Sequence, residues 1–318
     1  MSTNLYKPGR YAAIDIGTVT SRLFVADVDE TGAIQGAARD IAITNLGTGV
    51  DASGRLAADA IERVGSKVDE FAAVISRLEK DGRSVMVRAI ATSAARDAAN
   101  SDELVERLRR AGVELTIIPG EREASLSFAG ATSAFPGEKA VVIDVGGGST
   151  EIIAGMAGGA LEHAHSFQIG CRRVTERFFT QDPPGEALVG KAATWIADEM
   201  ADYLGVLGEE GFFDGRVIAV AGTATSIVSM REEMEVYDSS RVHGAVVTRG
   251  DIDALISKLK DMPLADRQRI VGLNPQRAPV ILAGVVILQQ VMDVAGINEF
   301  TVSESDILQG VVLAEASR

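Results

Sequence analysis

Two segments of the sequence combine an acid, glycine and hydroxyl side chains in an order that suits phosphate binding. The second of them, residues 144–151, reads DVGGGSTE. Its three consecutive glycines allow the backbone to approach a ligand closely and to turn several N–H groups toward an anion. Two carboxylates beside a phosphate require a cation between them, so Asp144 and Glu151 are candidate ligands of Mg²⁺ or Mn²⁺. A glycine hairpin with a solvated acid is the simpler interpretation of the same residues.

The first segment, residues 15–21, reads DIGTVTS and lies at the equivalent point of an earlier hairpin. On its own it is a weak signal, because Asp-x-Gly turns occur in many hairpins. The signal becomes stronger because a similar turn occurs at the equivalent point of the second half of the chain. Two acid–glycine–hydroxyl turns in equivalent halves of a protein are suited to face each other across a cleft and to hold a phosphate chain from both sides. Asp15 is then a third candidate metal ligand.

Two further patterns do not indicate a site. Residues 185–192, GEALVGKA, nearly match a phosphate-binding P-loop, but they follow prolines rather than a strand, and Ala192 replaces the hydroxyl residue that would hold magnesium. They are better interpreted as the start of an amphipathic helix. The three histidines do not have a spacing typical of metal ligands; they are His163, His165 and His243.

The segments that flank both acid–glycine turns predict β-strands. Apolar runs at 11–17 and 22–28 enclose the first turn, with a third strand at about 34–44, and runs at 140–145 and 151–155 enclose the second. Because each half begins with strands and continues with mixed helices and strands, the pattern indicates a duplicated α/β domain.

The rest of the chain predicts further helices and strands around these hairpins. Apolar residues between 61 and 78 recur at intervals of three and four, which predicts a helix with one core-facing stripe. Other helices are predicted at 101–111, from 120, at 170–179, at 186–207, from 224 and at 276–294, and other strands at 84–91, 114–118 and 217–221. The last helix has a start signal in residues 303–306, a capping-box variant with Asp in place of Glu or Gln. We therefore expect one domain over 1–128, joined by the C-terminal helix 303–318, and a second over 129–302.

Length and composition exclude several classes of protein. A chain of 318 residues is too long for one ordinary core, which favours two domains. The net charge of −14 argues against a nucleic-acid-binding protein, because phosphate contacts need a dense basic surface. The N-terminal segment lacks the apolar core of a signal peptide and no run of about 18 apolar residues occurs, so we expect a cytoplasmic protein that does not act at a membrane. The single Cys171 cannot form an intrachain disulfide and is expected to pack in a core.

With these residues in view, the sequence resembles the exopolyphosphatase and guanosine pentaphosphate phosphatase family, within the actin, sugar kinase and heat-shock chaperone fold superfamily. The resemblance covers nearly the whole chain. The stretches that carry it are 14–18 (IDIGT), 91–96 (ATSAAR), 119–124 (PGEREA), 143–151 (IDVGGGSTE), 169–178 (IGCRRVTERF) and 221–225 (AGTAT). It implies an α/β fold of two actin-like (ribonuclease H-like) domains with a cleft between them.

The resemblance also implies roles for individual residues. Glu123 takes the position of the glutamate that activates water in the family, with Glu121 as the alternative. Arg96 resembles an arginine that suits bidentate contact with phosphate oxygens, and it is equally suited to a surface salt bridge. Together with the backbone N–H groups of the two turns, the predicted phosphate-binding residues are Gly17, Thr18, Thr20, Ser21, Arg96, Gly146, Gly147, Gly148, Ser149, Thr150, Gly222 and Thr223.

We therefore expect an exopolyphosphatase, which removes the terminal phosphate of inorganic polyphosphate with Mg²⁺ or Mn²⁺. The chain ends before the C-terminal helical region of longer relatives, and this favours shorter polyphosphates as substrates. A guanosine pentaphosphate 5′-phosphatase is the nearest alternative. Further alternatives are a non-catalytic sensor of polyphosphate or alarmone and an ATP-using kinase or chaperone. A homodimer is the default expectation for an enzyme of this size.

Overall fold

The structure is a computed structural model that describes residues 6–159 and 161–317. Residues 1–5, 160 and 318 lie outside the described residues, and so do the parts of the predicted N-terminal and C-terminal segments that fall on them. The strands are β1 (Gly9–Ile16), β2 (Thr20–Val28), β3 (Ile34–Ile43), β4 (Val85–Ala91), β5 (Leu115–Ile117), β6 (Lys139–Val145), β7 (Thr150–Met156), β8 (Leu161–Phe167), β9 (Arg216–Val220), β10 (Val246–Thr248) and β11 (Glu299–Val302).

The helices are longer on average than the strands, and several of them are single turns. They are α1 (Val50–Ser53), α2 (Ala58–Leu78), α3 (Ser93–Asp97), α4 (Ser101–Arg110), α5 (Gly120–Ala131), α6 (Cys171–Phe178), α7 (Gly185–Glu209), α8 (Ala221–Arg231), α9 (Ser239–Val242), α10 (Arg249–Leu259), α11 (Leu264–Arg267), α12 (Ala278–Ala295) and α13 (Ile307–Ala316). Two 3₁₀ turns cover Glu79–Asp81 and Phe212–Asp214.

The chain forms two compact units. Unit 1 contains residues 1–130 and 306–318, and unit 2 contains residues 131–305. The C-terminal helix α13 therefore belongs to the same unit as the N-terminal strands. The boundaries that we expect from the sequence, after residue 128 and before residue 303, differ from these by two and three residues.

Unit 1 is a five-stranded sheet in the order β3-β2-β1-β4-β5. The first three strands are antiparallel neighbours, whereas β1, β4 and β5 run parallel. The helix predicted from the apolar residues between 61 and 78 is α2, and its stripe from Ile61 through Val64, Val68 and Phe71 is buried in the core of this unit. Burying one face of a helix on a sheet is what this spacing of apolar residues specifies.

Unit 2 is a six-stranded sheet in the order β10-β11-β9-β6-β7-β8. Without β10, this order is that of unit 1, with β6, β7, β8, β9 and β11 in the places of β1, β2, β3, β4 and β5, and the parallel and antiparallel pairings agree. The predicted duplication is therefore present in the strand order. The predicted α/β class and the predicted division into two domains of like topology are confirmed.

The start of the last helix differs from the prediction. Asp306 is the N-cap of α13 and forms a capping box with Gln309, so the capping box proposed for residues 303 and 306 is wrong. The reason is that the chain is still extended at Ser303, whose N–H donates to the carbonyl of Ala219 at 3.0 Å. The acid is the first residue of the box rather than the last.

Helix α12 accounts for the most apolar part of the chain. By length and composition Ala278–Ala295 could span a membrane, but 72% of it is buried inside the protein. Its apolar residues pack in unit 2, against α6, α7 and α10. The composition of α12 is therefore explained by its place in a core.

Helices α5 and α13 of unit 1 touch through their backbones. A Cβ atom added to Gly310 would lie 1.9 Å from the carbonyl oxygen of Leu126, and one added to Gly130 would lie 1.8 Å from that of Asp306. Only glycine permits such an approach. The C-terminal helix α13 therefore packs directly against α5, whose first turn contains Glu121 and Glu123.

Candidate active site

Each unit closes a four-residue turn between its first two strands. In turn 1, residues 17–20, the N–H of Gly17 donates to the carbonyl of Thr20 at 2.8 Å. In turn 2, residues 146–149, the N–H of Gly146 donates to the carbonyl of Ser149 at 3.0 Å. The first N–H of each turn is thus used inside the protein, and the groups that can meet a ligand are those of the following residues.

The carbonyl groups of turn 1 are held by the segment that follows β3. The carbonyl of Thr18 accepts from the N–H of Gly47 at 2.9 Å, and that of Val19 accepts from the N–H groups of Thr44 and Asn45, also at 2.9 Å. In a trans peptide the C=O and the next N–H point in opposite directions. The N–H groups of Val19 and Thr20 are therefore directed away from that segment.

The carbonyl groups of turn 2 are held in the same way by the segment that follows β8. The carbonyl of Gly146 accepts from the N–H of Cys171 at 2.9 Å, and that of Gly147 accepts from the N–H of Arg172 at 2.9 Å. The carbonyl of Gly148 accepts from Nε of Arg173 at 2.9 Å. Consecutive N–H groups, beginning with that of Gly147, consequently face away from α6, and successive N–H groups on one side of a turn suit an anion.

Gly170 makes this arrangement of turn 2 possible. A Cβ atom added to it would lie 2.3 Å from the carbonyl oxygen of Gly147 and 2.4 Å from the nitrogen of Gly148. The two backbones are therefore in direct contact. Cys171 follows as the first residue of α6 and is buried; burial raises the pKa of its thiol, and this agrees with the packing role predicted for it.

The acid of turn 1 is paired with an arginine. Asp15 and Arg22 are direct partners in the antiparallel pair of β1 and β2, and Nε and Nη2 of Arg22 donate to Oδ2 of Asp15 at 3.0 and 2.6 Å. Arg22 also forms an ion pair with the buried Asp306 at the N-cap of α13. Burial raises the pKa of Asp15, although Arg22 acts in the opposite direction. Among the described residues, the buried Oδ1 of Asp15 has no hydrogen-bond partner.

The acid of turn 2 is paired with a second acid. Asp144 and Glu151 are direct partners in the antiparallel pair of β6 and β7, at the same register position as Asp15 and Arg22 in unit 1. The exposed fractions of Asp144 and Glu151 are only 8% and 2%. Ser166 of β8 donates its hydroxyl to Oε1 of Glu151 at 2.6 Å.

Arg96 and Glu123 form an ion pair in unit 1. Nη1 of Arg96 donates to Oε2 of Glu123 at 3.0 Å and to the carbonyl of Ile118 at 3.1 Å. Glu123 lies in the first turn of α5 and is buried, whereas Glu121 is exposed. Of the two glutamates, Glu123 is thus the one held by a cation in the interior.

Several hydroxyl groups predicted to bind phosphate make contacts within the protein. Ser21 and Thr150 occupy equivalent positions and are fully buried. The hydroxyl of Ser21 hydrogen-bonds to that of Thr44 at 2.9 Å, and the hydroxyl of Thr150 donates to the carbonyl of Ile169. Both contacts join the second strand of the unit to the segment after its third strand, so these two side chains support the turns.

The third glycine–hydroxyl segment lies at the start of α8. A Cβ atom added to Gly222 would lie 1.8 Å from Nη1 of Arg277, so the guanidinium rests directly on the helix N-terminus. Thr223 is buried, and a Cβ atom added to Gly284 of α12 would lie 2.5 Å from its hydroxyl. Gly222 therefore lies beside a cation, and the side chain of Thr223 packs against α12.

Comparison with known proteins identifies the family. The model of the Ppx/GppA phosphatase family matches residues 24–318. The chain belongs to this family. Exopolyphosphatase 2 of Mycobacterium tuberculosis is 34% identical over an alignment that covers 96% of this chain and 98% of the relative. The resemblance noted in the sequence is thereby confirmed.

Solved structures of relatives share the fold. The Ppx/GppA family member of Aquifex aeolicus has a TM-score of 0.78 and 30% identity, with 97% of each chain covered. An exopolyphosphatase of Cytophaga hutchinsonii has a TM-score of 0.86 at 23% identity, with 96% of this chain and 97% of that chain covered, and its likeness concerns the fold alone.

In this Ppx/GppA family member, several residues that hold the site were not predicted from the sequence. They are Arg22, Asp306, Ser166, Gly170 and Arg173. Arg22 could have been found by counting outward from the turn, because it is the strand residue opposite Asp15. The other four become visible only when distant segments pack together.

A metal ion would have to be held by few protein ligands. Within the described residues, no group of three or more His, Cys, Asp or Glu side chains is placed to hold one. The adjacent carboxylates of Asp144 and Glu151 nevertheless suit Mg²⁺, which is commonly bound through one or two carboxylates, several waters and substrate phosphates. Asp15 fits less well, because Arg22 already supplies a positive charge beside it.

Proposed function

We propose that this Ppx/GppA family member is an exopolyphosphatase. It would transfer the terminal phosphoryl group of inorganic polyphosphate to water, releasing phosphate and a chain shorter by one unit. The observation that carries the proposal is the pair of turns whose carbonyl groups are held on one side, which directs successive N–H groups to the other side. The 34% identity to a protein named exopolyphosphatase 2 supports the same substrate.

The phosphate oxygens would be bound mainly by backbone. Dipoles of N–H groups that are fixed before the substrate arrives stabilise negative charge at little reorganisation cost. Turn 2 supplies N–H groups from Gly147 onward, and turn 1 supplies those that follow Thr18. Gly17 and Gly146 are both predicted to bind phosphate, but their N–H groups instead close the two turns. A protein with a net charge of −14 needs such local donors for a polyanion.

Mg²⁺ or Mn²⁺ would be held by Asp144 and Glu151. Two buried carboxylates side by side are unfavourable without a cation, and their separation by a single strand-to-strand step suits a shared ion. When bound, the ion would neutralise charge on the phosphoryl group. In unit 1, Arg22 has this neutralising role for Asp15.

Glu123 would orient and deprotonate the attacking water. Phosphoryl transfer needs an in-line nucleophile and a group that positions it. Arg96 fixes one carboxylate oxygen of Glu123 by a hydrogen bond of 3.0 Å. Because Arg96 makes this contact, we infer that its first task is to hold Glu123, and contact with phosphate would be additional.

A guanosine pentaphosphate phosphatase is the second candidate. The chain belongs to the Ppx/GppA phosphatase family. Hydrolysis of the terminal phosphoanhydride bond of guanosine pentaphosphate would require the same phosphate-binding and catalytic groups as hydrolysis of polyphosphate. The discriminating experiment is a side-by-side assay of phosphate release from polyphosphates of defined length, guanosine pentaphosphate and ATP, with Mg²⁺ and with EDTA.

We expect Mg²⁺-dependent release from polyphosphate without any acceptor molecule. Faster release from guanosine pentaphosphate would assign the second candidate. Turnover of ATP that depends on an added acceptor would identify a kinase, and absence of release from all three substrates would contradict hydrolytic function.

A further inference from the structure

Three strands of unit 2 carry polar residues in one row. Asp144 of β6 pairs with Glu151 of β7, and Glu151 pairs with Ser166 of β8. Directly paired residues of neighbouring strands project to the same face of a sheet. The hydrogen bond of 2.6 Å from the Ser166 hydroxyl to Oε1 of Glu151 is the short kind expected of a charged acceptor.

We propose that Ser166 is a positioning residue, which fixes the orientation of the Glu151 carboxylate for the divalent cation of the reaction. This inference rests on the proposed function, because it assigns Ser166 a task toward the cation that the exopolyphosphatase reaction would use. Ser166 acts through Glu151 and does not itself contact the reacting atoms.

The physical reason is that a glutamate side chain has a soft terminal torsion. The carboxylate can rotate broadly about its last bond, and beside Asp144 electrostatic repulsion favours turning it away. A hydroxyl donor on Oε1 stabilises one rotation and also compensates part of the cost of burying the charge. Outer partners that orient metal ligands commonly change metal affinity by about 10- to 100-fold when removed.

Unit 1 has no glutamate at the equivalent strand position, and its third strand carries no hydroxyl residue there. At the position that Ser166 occupies in unit 2, the partner of Arg22 on β3 is Ile41, which is exposed. Arg22 there is held by Asp15 and Asp306 and needs no hydroxyl donor from the third strand. A serine on the third strand therefore occurs in unit 2, where the second strand carries the acid Glu151, and not in unit 1, where the second strand carries Arg22.

The test is the affinity of the substrate-free protein for Mn²⁺, measured by electron paramagnetic resonance of free ion. We expect Ser166→Ala to raise the Mn²⁺ dissociation constant by about 10- to 100-fold. Ser166→Thr keeps the hydroxyl on a strand and should remain close to wild type. Ser166→Cys, with a weaker donor of similar size, should lie between them and serves if Ser166→Ala does not fold.

Two controls separate orientation of Glu151 from other effects. Ser239→Ala removes an exposed hydroxyl from the same unit and should leave Mn²⁺ binding unchanged. In a Glu151→Gln background, Ser166→Ala should weaken Mn²⁺ binding far less than in the wild type, because its target is already gone. The concentration of Mg²⁺ that gives half-maximal phosphate release should rise with the Mn²⁺ dissociation constant.

The outcomes distinguish this inference from the proposed function. If the wild type hydrolyses polyphosphate and binds Mn²⁺ but Ser166→Ala binds Mn²⁺ equally well, the role of Ser166 is contradicted and the function stands. If Ser166→Ala weakens binding as much in the Glu151→Gln background as in the wild type, Ser166 is not acting through Glu151. If the wild type neither hydrolyses polyphosphate nor binds Mn²⁺, the proposed function fails first.

Discussion

The two units build the same turn on the same backbone and place opposite charges beside it. In unit 1 the strand partner of the acid is Arg22, and in unit 2 it is Glu151. The carbonyl groups of both turns are held by the segment after the third strand of their unit. The strand residue opposite the acid is therefore a cation beside turn 1 and a second acid beside turn 2.

The backbone of such a turn and the charges beside it can thus vary independently of each other. Main-chain hydrogen bonds direct the N–H groups in both units, and in unit 2 the side chain of Arg173 also donates to the carbonyl of Gly148. Substitution at the strand position opposite the acid changes the electrostatics and leaves the turn in place. The same fold element thus carries an acid–arginine pair in unit 1 and an acid–acid pair in unit 2.

The largest expected effect concerns Glu123 of unit 1, the residue proposed to deprotonate the attacking water. Glu123→Gln should lower kcat for polyphosphate by about 10²- to 10⁴-fold, the usual contribution of a general base. KM should change little, because the glutamine carbonyl can still accept from Arg96. Steady-state phosphate release measures both constants.

Glu121→Gln is the matched control, since Glu121 lies on the same helix but is exposed. It should retain wild-type turnover. Equal losses of kcat in the two variants would contradict the assignment of Glu123.

The internal cation of unit 1 should be important for stability. Arg22→Gln leaves the buried Asp15 and Asp306 without their shared counter-ion. Removing one partner of a buried ion pair costs about 3–5 kcal/mol in the free energy of unfolding. Denaturant titration of the two variants Arg22→Gln and Arg22→Lys measures it, and the lysine, which keeps a charge, should lose less.

A loss below about 1 kcal/mol, the range of exposed pairs, would mean that the cluster around Arg22 is effectively solvated. Arg22 would then contribute little to the stability of unit 1 as a counter-ion of Asp15 and Asp306.

The glycines that support the turns should differ in their tolerance of a side chain. Gly170→Ala places a Cβ atom against backbone of turn 2, whereas in Gly47→Ala the nearest atom, 2.3 Å away, is the methyl carbon of Thr18. A side chain can rotate and a peptide cannot, so Gly170→Ala should raise KM for polyphosphate by about 10-fold, equivalent to about 1.4 kcal/mol, and Gly47→Ala by less.

Gly190→Ala provides the control for Gly170→Ala. Gly190 lies on the exposed face of α7, and its added Cβ atom would meet no heavy atom within 4 Å. KM should be unchanged and stability slightly increased. A raised KM in this variant would revive a role for the P-loop-like segment.

The smallest effect concerns pH. Burial raises the pKa of Asp15 above its ordinary value of 3.8, so the folded protein binds this proton more tightly than the unfolded chain. The resulting penalty is complete above the raised pKa and disappears as pH falls through it toward 3.8. Asp15→Asn should remove this contribution, which amounts to about 1.4 kcal/mol for each unit of pKa shift.

Chemical unfolding of wild type and Asp15→Asn between pH 7 and pH 4 measures the difference. Relative to the variant, the wild type should gain stability as the pH is lowered. A relative loss would show that the contact with Arg22 outweighs burial and lowers the pKa of Asp15 instead.

The sequence was informative where the signal is local. The apolar strands beside the turns, the stripe of α2 and the helical nature of residues 185–192 follow from patterns within a few turns of chain, and all three are confirmed. The duplication was visible because the acids at 15 and 144 end equivalent strands. These features depend on spacing and residue type alone.

The sequence was uninformative where distant segments meet. Asp306 contacts Arg22 across 284 positions of the chain, and no local pattern announces that pair. The contact of Ser166 with Glu151 can be predicted only if the register of β8 against β7 is known. The capping box at Asp306 depends on the residue at which β11 stops pairing with β9. No element was predicted between α9 and α11, where α9, β10 and α11 contain only three or four residues each.

The backbone contact between α5 and α13 has a consequence for how the protein is made. Helix α5, which carries Glu123 and Gly130, is synthesised early. Asp306, whose backbone Gly130 contacts, follows after more than half of the chain has been translated. Unit 2 is contiguous in sequence, so all of its residues are synthesised before α13. A chain that terminates before residue 306 would therefore contain every residue of unit 2 and would lack the C-terminal segment of unit 1.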